Sequence, residues 1–321
     1  MNTDFTRYGF KNEGNILKVL NPLKEPDDAN LFIFIDGFSR LKELNKIFEA
    51  AENINKPIFF LVSGASGSGR SSVAKYILSH YRKYHKIDST RFFVPDEIDI
   101  NNDDLYVIRN WILYLYTDLE DKGIELSKDI VEELRGGLGN VARETFRPVL
   151  KRIMRRISKI LSSQNPPSSY GICIEDVKNY QTIDAFIDIT KSTNTIAIFT
   201  VHENEYDIIN SINNNVKIEL SHLDGQEARE VIDVLWKQTN LHKNPFDGAQ
   251  VENAFGTKNR SIGNIITRFK QLLEIKLNIK KDSVWPENNN LSFTPHELKE
   301  YLNNLYLIFL NLSPKIYLHF Q

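Results

Sequence analysis

The sequence predicts an α/β fold in which helices flank a parallel sheet and a small all-helical lid follows. Five apolar runs of strand length alternate with helical patterns up to residue 220, and only helical patterns follow from residue 223. The run Ile58 to Val62 is apolar throughout, as expected for a strand buried on both faces of a parallel sheet. A glycine-rich segment then leads into a helical pattern, which is the order of a βα unit.

The other elements follow from hydrophobic spacing along the chain. Leu41, Leu44 and Phe48 lie at helical spacing, and so do Ile108 and Trp111 further on. We divide the chain into an N-terminal arm (1–30), a core (31–220), and a helical lid with C-terminal helices (221–321). The patterns predict strands at 91–94, 170–174, 195–201 and 216–220, and helices at 40–51, 104–135, about 147–161, 182–191 and from 223 onward.

Composition and charge narrow the class of protein. The chain has 321 residues, of which 41% are hydrophobic and 26% charged, as is usual for a soluble globular protein. A net charge of −2 gives no overall basic signature for nucleic acid. The first residues lack the pattern of a signal peptide, no apolar stretch is long enough to span a bilayer, and the one cysteine, Cys173, cannot form an internal disulfide. We therefore expect a cytoplasmic protein without membrane association.

The main chemical signal is the glycine-rich loop, residues 64–72, which follows the run at 58–62. Its pattern is Gly-x-x-x-x-Gly-Arg-Ser, the spacing of a phosphate-binding P-loop. Glycines allow such a loop to turn its N–H groups inward around a triphosphate, and the N-terminus of the next helix favours anions. Ser71 has the position whose hydroxyl ligates Mg²⁺. The predicted nucleotide-binding residues of the loop are Gly64, Ala65, Ser66, Gly67, Ser68, Gly69, Arg70, Ser71 and Ser72.

Arg70 stands where this motif usually has lysine. It keeps the positive charge, but a guanidinium is a wide planar fork whereas an ammonium is a compact point charge. Arg70 can therefore bind the β- and γ-phosphates yet position them poorly for transfer. Three interpretations follow: nucleotide binding with slow hydrolysis, nucleotide binding without hydrolysis, and a glycine-rich turn that binds nothing.

Two acids directly follow the predicted strand 170–174. Glu175 and Asp176 lie at its carboxyl end, where α/β sheets place their ligands. One carboxylate can hold Mg²⁺ together with Ser71, and a second can orient the attacking water. We expect Glu175 in the first role and Asp176 in the second. The shorter Asp176 holds a water less well, which also favours slow turnover, and an ordinary acidic turn is the alternative.

The next predicted strand, 195–201, also ends in polar residues. Thr200, His202 and Asn204 stand at or just beyond its carboxyl end. If that end meets the glycine-rich loop, one of them can contact a γ-phosphate. An ordinary strand exit explains the same residues equally well.

The order of these motifs resembles the AAA+/STAND group of P-loop ATPases over roughly residues 30–275. The segment beginning at Ile35 is similar to the box before the P-loop, which helps to enclose adenine in that group. The pair Glu175 and Asp176 matches the Walker B position, and Thr200 matches sensor 1. Arg260 resembles the sensor 2 arginine that reaches the γ-phosphate from the lid.

The resemblance implies a P-loop ATPase core that binds ATP or ADP with Mg²⁺. It places Ser71 and Glu175 on the metal and Asp176, Thr200 and Arg260 near the γ-phosphate, and Arg70 together with the Glu-Asp order makes slow ATP hydrolysis the expectation. Proteins of this group are generally switches or oligomeric motors, so we expect a switch or assembly module, with self-association or a protein partner. A non-hydrolysing nucleotide-binding scaffold for a protein partner is the alternative.

A basic amphipathic helix at 147–161 supports a further alternative. Its charged side chains share one face, opposite a face of isoleucine and methionine. Three interpretations stay open: a solvated surface helix, a contact with nucleic-acid phosphates in a DNA-associated ATPase, and a source of an arginine that acts on a neighbouring subunit's nucleotide. The basic residues are Lys151, Arg152, Arg155, Arg156 and Lys159.

Overall fold

The computed structural model describes residues 20–33, 41–53, 57–95, 104–136, 143–191, 193, 195–211, 216–237, 249, 261–267 and 269. Within them the chain forms a five-stranded, entirely parallel sheet with helices packed on it. This confirms the predicted α/β class with a parallel sheet flanked by helices. Most of the predicted lid lies outside the described residues, as do Ile35 and Arg260.

The strand order of the sheet is β2-β3-β4-β1-β5. The first strand of the chain, β1, therefore lies between β4 and β5 and has parallel partners on both edges. All of its residues except Phe59 are buried, which explains its unbroken apolar run. The strands are β1 (Ile58–Gly64), β2 (Phe92–Phe93), β3 (Ser169–Ile174), β4 (Ile196–His202) and β5 (Val216–Leu220).

Two hydrophobic cores lie on the sheet. One contains Phe48, Ile77 and Val231 from three helices, and the other contains Trp111 and Phe186. Among the described helices, none is long and apolar enough to cross a membrane. The helices are α1 (Leu44–Asn53), α2 (Arg70–Tyr84), α3 (Asp104–Asp121), α4 (Lys128–Gly136), α5 (Arg143–Ser162), α6 (Tyr180–Thr190), α7 (Tyr206–Ser211) and α8 (Gly225–Lys237).

The single helix predicted over 104–135 is wrong, because the chain forms α3 and α4 there. Helix α3 ends in a Schellman motif around Gly123, which has a left-handed φ of 70°. The Ile124 N–H donates to the Leu119 carbonyl at 2.9 Å, and the Gly123 N–H donates to the Glu120 carbonyl at 2.9 Å. Apolar residues continue beyond this turn, where Leu126 is also buried. Hydrophobic periodicity alone therefore did not reveal the break.

Other predicted boundaries shift by a few residues, as is usual at the ends of elements. The basic helix predicted at 147–161 lies within the longer α5, which contains Pro148. The strand predicted at 91–94 is only two residues long. The helix predicted at 40–51 begins as a short 3-10 turn before α1.

Residues 20–33, which include the described end of the predicted arm (1–30), lie along α2. The Leu20 N–H donates to Ser72 Oγ at 2.9 Å, and Ser79 Oγ donates to the Pro22 carbonyl at 3.2 Å. The rings of Phe32 and Tyr76 are 4.6 Å apart between centroids. This segment therefore contacts the same helix whose N-terminus closes the glycine-rich loop.

Two histidines lead us to expect a loss of stability in mild acid: His80 lies in α2, and His85 follows its last residue. Burial, and then Lys83, lowers the pKa of His80; burial also lowers the pKa of His85. A histidine whose pKa is lower in the folded state binds its proton more readily when the chain is unfolded. Its contribution to the free energy of unfolding is therefore complete above about pH 6.5 and decreases as the pH falls below that value. We expect the free energy of unfolding to fall between pH 7 and pH 5.5. His80→Gln should reduce that fall in urea titrations, and an equal fall in both proteins would contradict the assignment.

Candidate functional site at the glycine-rich loop

The glycine-rich loop starts at the carboxyl end of β1, where this strand separates β4 from β5. After β1 the chain runs to the far edge formed by β2, and after β4 it crosses β1 to form the opposite edge with β5. Ligands of open α/β sheets bind in the crevice at such a switch point. The loop therefore occupies the position in the sheet that is best suited to a bound ligand.

Glycine is required at three points of the loop. Gly67 and Gly69 have left-handed φ angles of 75° and 89°, which side chains with a Cβ rarely adopt. At Gly64 a Cβ would lie 2.5 Å from Ser68 Oγ and 2.9 Å from the Leu220 carbonyl oxygen. The loop is thus tightly curled over the end of β5, and α2 begins directly after Gly69.

Two buried polar atoms of the loop have no hydrogen-bond partner among the described residues: Ser68 Oγ and Arg70 Nη1. Buried donors without a partner are uncommon, because their desolvation is not offset. Ser68 is buried, and the Arg70 side chain is only 12% exposed. A hydroxyl and a guanidinium N–H without partners beside one glycine loop fit an anionic ligand with oxygen acceptors.

The two predicted acids reach the loop from the end of β3. Ser71 Oγ donates a hydrogen bond to Glu175 Oε2. Arg70 Nη2 lies 2.8 Å from Asp176 Oδ1, and the Asp176 side chain is 56% exposed. The structure therefore brings Arg70, Ser71, Glu175 and Asp176 together, although Glu175 and Asp176 are about a hundred residues further along the chain.

Thr200 holds the backbone beside this pair of acids. Its side chain is buried, and its Oγ1 accepts a hydrogen bond from the Asp176 N–H at 2.9 Å. Its carbonyl accepts a second from the Val177 N–H at 2.9 Å. Asp176 has a left-handed φ of 53°, a conformation that aspartate tolerates better than most residues. Thr200 thus fixes the turn that directs the Asp176 carboxylate to Arg70, and its contact with a γ-phosphate stays a prediction.

Lys75 is a further site residue, which the sequence patterns did not indicate. Its Nζ lies 3.4 Å from Glu175 Oε1, and its side chain is only 9% exposed. Lys75 follows Ser71 by four residues on α2, so both side chains project from the same face. That spacing in the sequence was the available signal, but lysine within a helix is ordinarily a surface residue.

Residues 261–267 of the predicted lid pack directly on the loop. The Gly263 N–H donates to the Gly67 carbonyl at 2.8 Å, and a Cβ at Gly263 would lie 2.7 Å from that oxygen. Ser261 Oγ lies 3.1 Å from the position that a Cβ of Gly67 would take. A conformational change in the loop would therefore displace or strain residues 261–267. In the sequence these residues directly follow the predicted sensor residue Arg260.

The end of β4 joins the loop through its backbone. The Glu203 N–H donates to the Gly64 carbonyl at 3.1 Å, and the Glu203 carboxylate lies 3.2 Å from His222 Nε2. The Asn204 N–H donates to His202 Nδ1 at 3.3 Å. His202 and Asn204 are thus in contact with each other, close to the start of the loop.

The basic face of α5 is largely neutralised by acids from neighbouring helices. The hydroxyl of Ser127, and then Arg156, lowers the pKa of Asp129 to about 2. Because these charges are used within the fold, the face offers less net positive charge to a phosphate backbone than the sequence implied. The pairs are Arg147 with Asp184 at 3.3 Å, Lys151 with Asp188 at 3.3 Å, Arg152 with Glu133 at 2.8 Å, and Arg156 with Asp129 at 2.5 Å.

Ser71 and Glu175 fit Mg²⁺ only in company with other ligands. Within the described ranges, no three His, Cys, Asp or Glu side chains come together as metal ligands. The Ser71 hydroxyl donates a hydrogen bond to Glu175, so lone pairs of its oxygen remain for an ion. Mg²⁺ is usually bound by one or two protein groups together with phosphate oxygens and water. These two side chains suit a metal that arrives with a nucleotide.

The fold and the site define an α/β protein with a parallel sheet and a glycine-rich βα loop faced by two acids. No protein-family model matches the chain, and no curated protein sequence matches it either. Solved structures do match, among them a chain of an Escherichia coli MS115-1 complex described as HORMA, CdnC and Trip13. That match has 12% identity and a TM-score of 0.45, and it covers 88% of this chain and 92% of the other. Similarity at this level supports no statement about what this chain binds.

Proposed function

We infer that the chain is a P-loop protein that binds ATP with Mg²⁺, hydrolyses it slowly, and acts as a nucleotide-dependent switch or assembly module. The observation that supports this most is the convergence of Ser71, Glu175, Arg70 and Asp176 on one glycine loop at the switch point of a parallel sheet. The buried Ser68 Oγ and Arg70 Nη1, which lack partners among the described residues, add donors for phosphate oxygens.

Each side chain has a role that its geometry supports. The loop from Gly64 to Ser72 surrounds the phosphates, and Arg70 donates to the β- and γ-oxygens. Ser71 and Glu175 hold Mg²⁺, which neutralises phosphate charge when it is bound. Asp176 orients the attacking water in this proposal, and Thr200 fixes its backbone.

The pair between Arg70 and Asp176 gives a physical reason for slow turnover. Arg70 must leave Asp176 to donate fully to phosphate, and Asp176 must leave Arg70 to orient a water. A guanidinium fork forms a stable pair with a carboxylate, so both groups have a competing partner inside the site. If neither separation occurs after ATP binds, the protein is the alternative, a non-hydrolysing scaffold.

A switch function needs a partner that reads the nucleotide state. The direct hydrogen bond from Gly263 to Gly67 provides a route from the loop to the lid segment. Because the two backbones are in contact, a loop that tightens around phosphates moves or strains residues 261–267. We therefore expect self-association or binding of a protein partner to depend on ATP.

The decisive experiment measures ATP binding by calorimetry and phosphate release in parallel, with Mg²⁺, for the wild type, Arg70→Lys and Asp176→Asn. We expect the wild type to bind ATP and to turn it over more slowly than about 1 per second, the low end of typical enzyme rates. Arg70→Lys should hydrolyse faster, because an ammonium is a compact charge that forms no fork with Asp176. Asp176→Asn should lose turnover and retain binding.

Asparagine is the right substitution because it tolerates the left-handed backbone at residue 176 and removes only the charge. Wild-type turnover equal to that of Asp176→Asn, with ATP bound, would establish the scaffold instead. Absence of ATP binding in the wild type would refute both forms of the proposal.

A further inference from the structure

Lys75, Ser71 and Glu175 form a compact group at the start of α2. Both carboxylate oxygens of Glu175 are engaged, Oε2 by the Ser71 hydroxyl and Oε1 by the Lys75 ammonium at 3.4 Å. Lys75 is buried, and its side chain is less exposed than that of Glu175. A lysine is rarely buried unless its charge is paired, so this ammonium is held at the carboxylate that the metal would use.

The charges of the site balance without a metal. Arg70 pairs with Asp176, and Lys75 pairs with Glu175, so two cations face two carboxylates. In a site with one cation and two acids, the remaining negative charge would repel the phosphates until a divalent ion bound. Here the second cation offsets that remaining negative charge.

We propose that Lys75 takes over part of the role of Mg²⁺ by neutralising Glu175, so that ATP binds to this loop with little dependence on Mg²⁺. The inference rests on the proposed ATP binding and names how that same site is regulated. Lys75 is a positioning residue in this scheme, since it acts on nucleotide through Glu175. Without its ammonium, Glu175 becomes an unpaired carboxylate that disfavours free ATP and favours its magnesium complex.

The test compares the affinity for a non-hydrolysable ATP analogue in Mg²⁺ and in EDTA, by calorimetry, for the wild type and Lys75→Met. We expect the wild-type affinities to differ by less than about threefold, and those of Lys75→Met by on the order of tenfold or more, because the charge of Glu175 beside the loop is then no longer neutralised. Lys151→Met is the matched control, since Lys151 pairs with Asp188 at 3.3 Å outside the loop. It should behave as the wild type.

The double variant Lys75→Met, Glu175→Gln separates an electrostatic role from a packing role. If Lys75 acts by neutralising Glu175, loss of the carboxylate should restore the wild-type affinity measured in EDTA, where the loss of a metal ligand has no effect. An affinity in EDTA that stays as low as that of Lys75→Met refutes the inference. Lys75→Gln serves as a second variant should the methionine protein fail to fold. If the affinity for the analogue depends equally on Mg²⁺ in the wild type and in both Lys75 variants, this inference is refuted and the proposed function is not affected. A wild type that binds the analogue in neither condition refutes both.

Discussion

Replacing Arg70 with alanine is expected to weaken ATP binding by about 10- to 100-fold, since a charge-assisted hydrogen bond contributes roughly 1.5–3 kcal/mol. Arg70 begins α2, and it carries a buried Nη1 without a partner among the described residues. The substitution removes the donor that this geometry directs to phosphate, and it also leaves Asp176 as an unpaired negative charge next to the loop. Calorimetric titration of ATP into the two proteins measures the effect.

Arg152→Ala is the matched control for Arg70→Ala. Arg152 also pairs with a carboxylate at 2.8 Å, that of Glu133, but it lies on α5 outside the loop. Exposed pairs of this kind contribute at most about 1 kcal/mol, so Arg152→Ala should leave ATP binding unchanged. An affinity of Arg70→Ala within about twofold of the wild type would contradict a role for Arg70 in phosphate binding.

Local sequence patterns were sufficient for the strands and for the glycine loop. β1 reads as a strand because a buried parallel strand requires an apolar run, and Gly64, Gly67 and Gly69 stand where the backbone conformation or a close contact excludes a Cβ. Glu175 and Asp176 were placed at the site by a general rule about the carboxyl ends of parallel strands. These features depend on residues close together in sequence or on chain topology.

Most specific pairs between distant side chains could not be predicted from the sequence. Nothing in the pattern around Asp176 indicates that its carboxylate pairs with Arg70, because the pair depends on the left-handed turn fixed by Thr200. Lys75 was missed for a related reason, since a helical lysine is ordinarily exposed and its burial depends on Glu175. The ion pairs of α5 likewise depend on acids from α4 and α6, which no local pattern brings near.

Trp111→Ala should have the largest effect on stability, a loss of about 3–5 kcal/mol in the free energy of unfolding. Trp111 lies in α3, is 1% exposed, and packs against Tyr170 and Phe186 with ring centroids 5.8 and 6.0 Å away. Alanine would leave a cavity among these rings that the surrounding helices and the sheet cannot fill. Since a whole domain is stable by only about 5–15 kcal/mol, the shift in the midpoint of urea unfolding should be large.

Two further variants identify packing as the cause. Trp111 Nε1 has no hydrogen-bond partner among the described residues, so Trp111→Phe removes no bond and should lose far less stability than alanine. Tyr106→Ala, at an exposed position of the same helix, should change stability by less than about 0.5 kcal/mol. Equal losses for alanine and phenylalanine at 111 would contradict the cavity explanation. Because Tyr170 lies in β3, which leads directly to Glu175, ATP affinity measured on folded Trp111→Ala also reports how far the loop depends on this core.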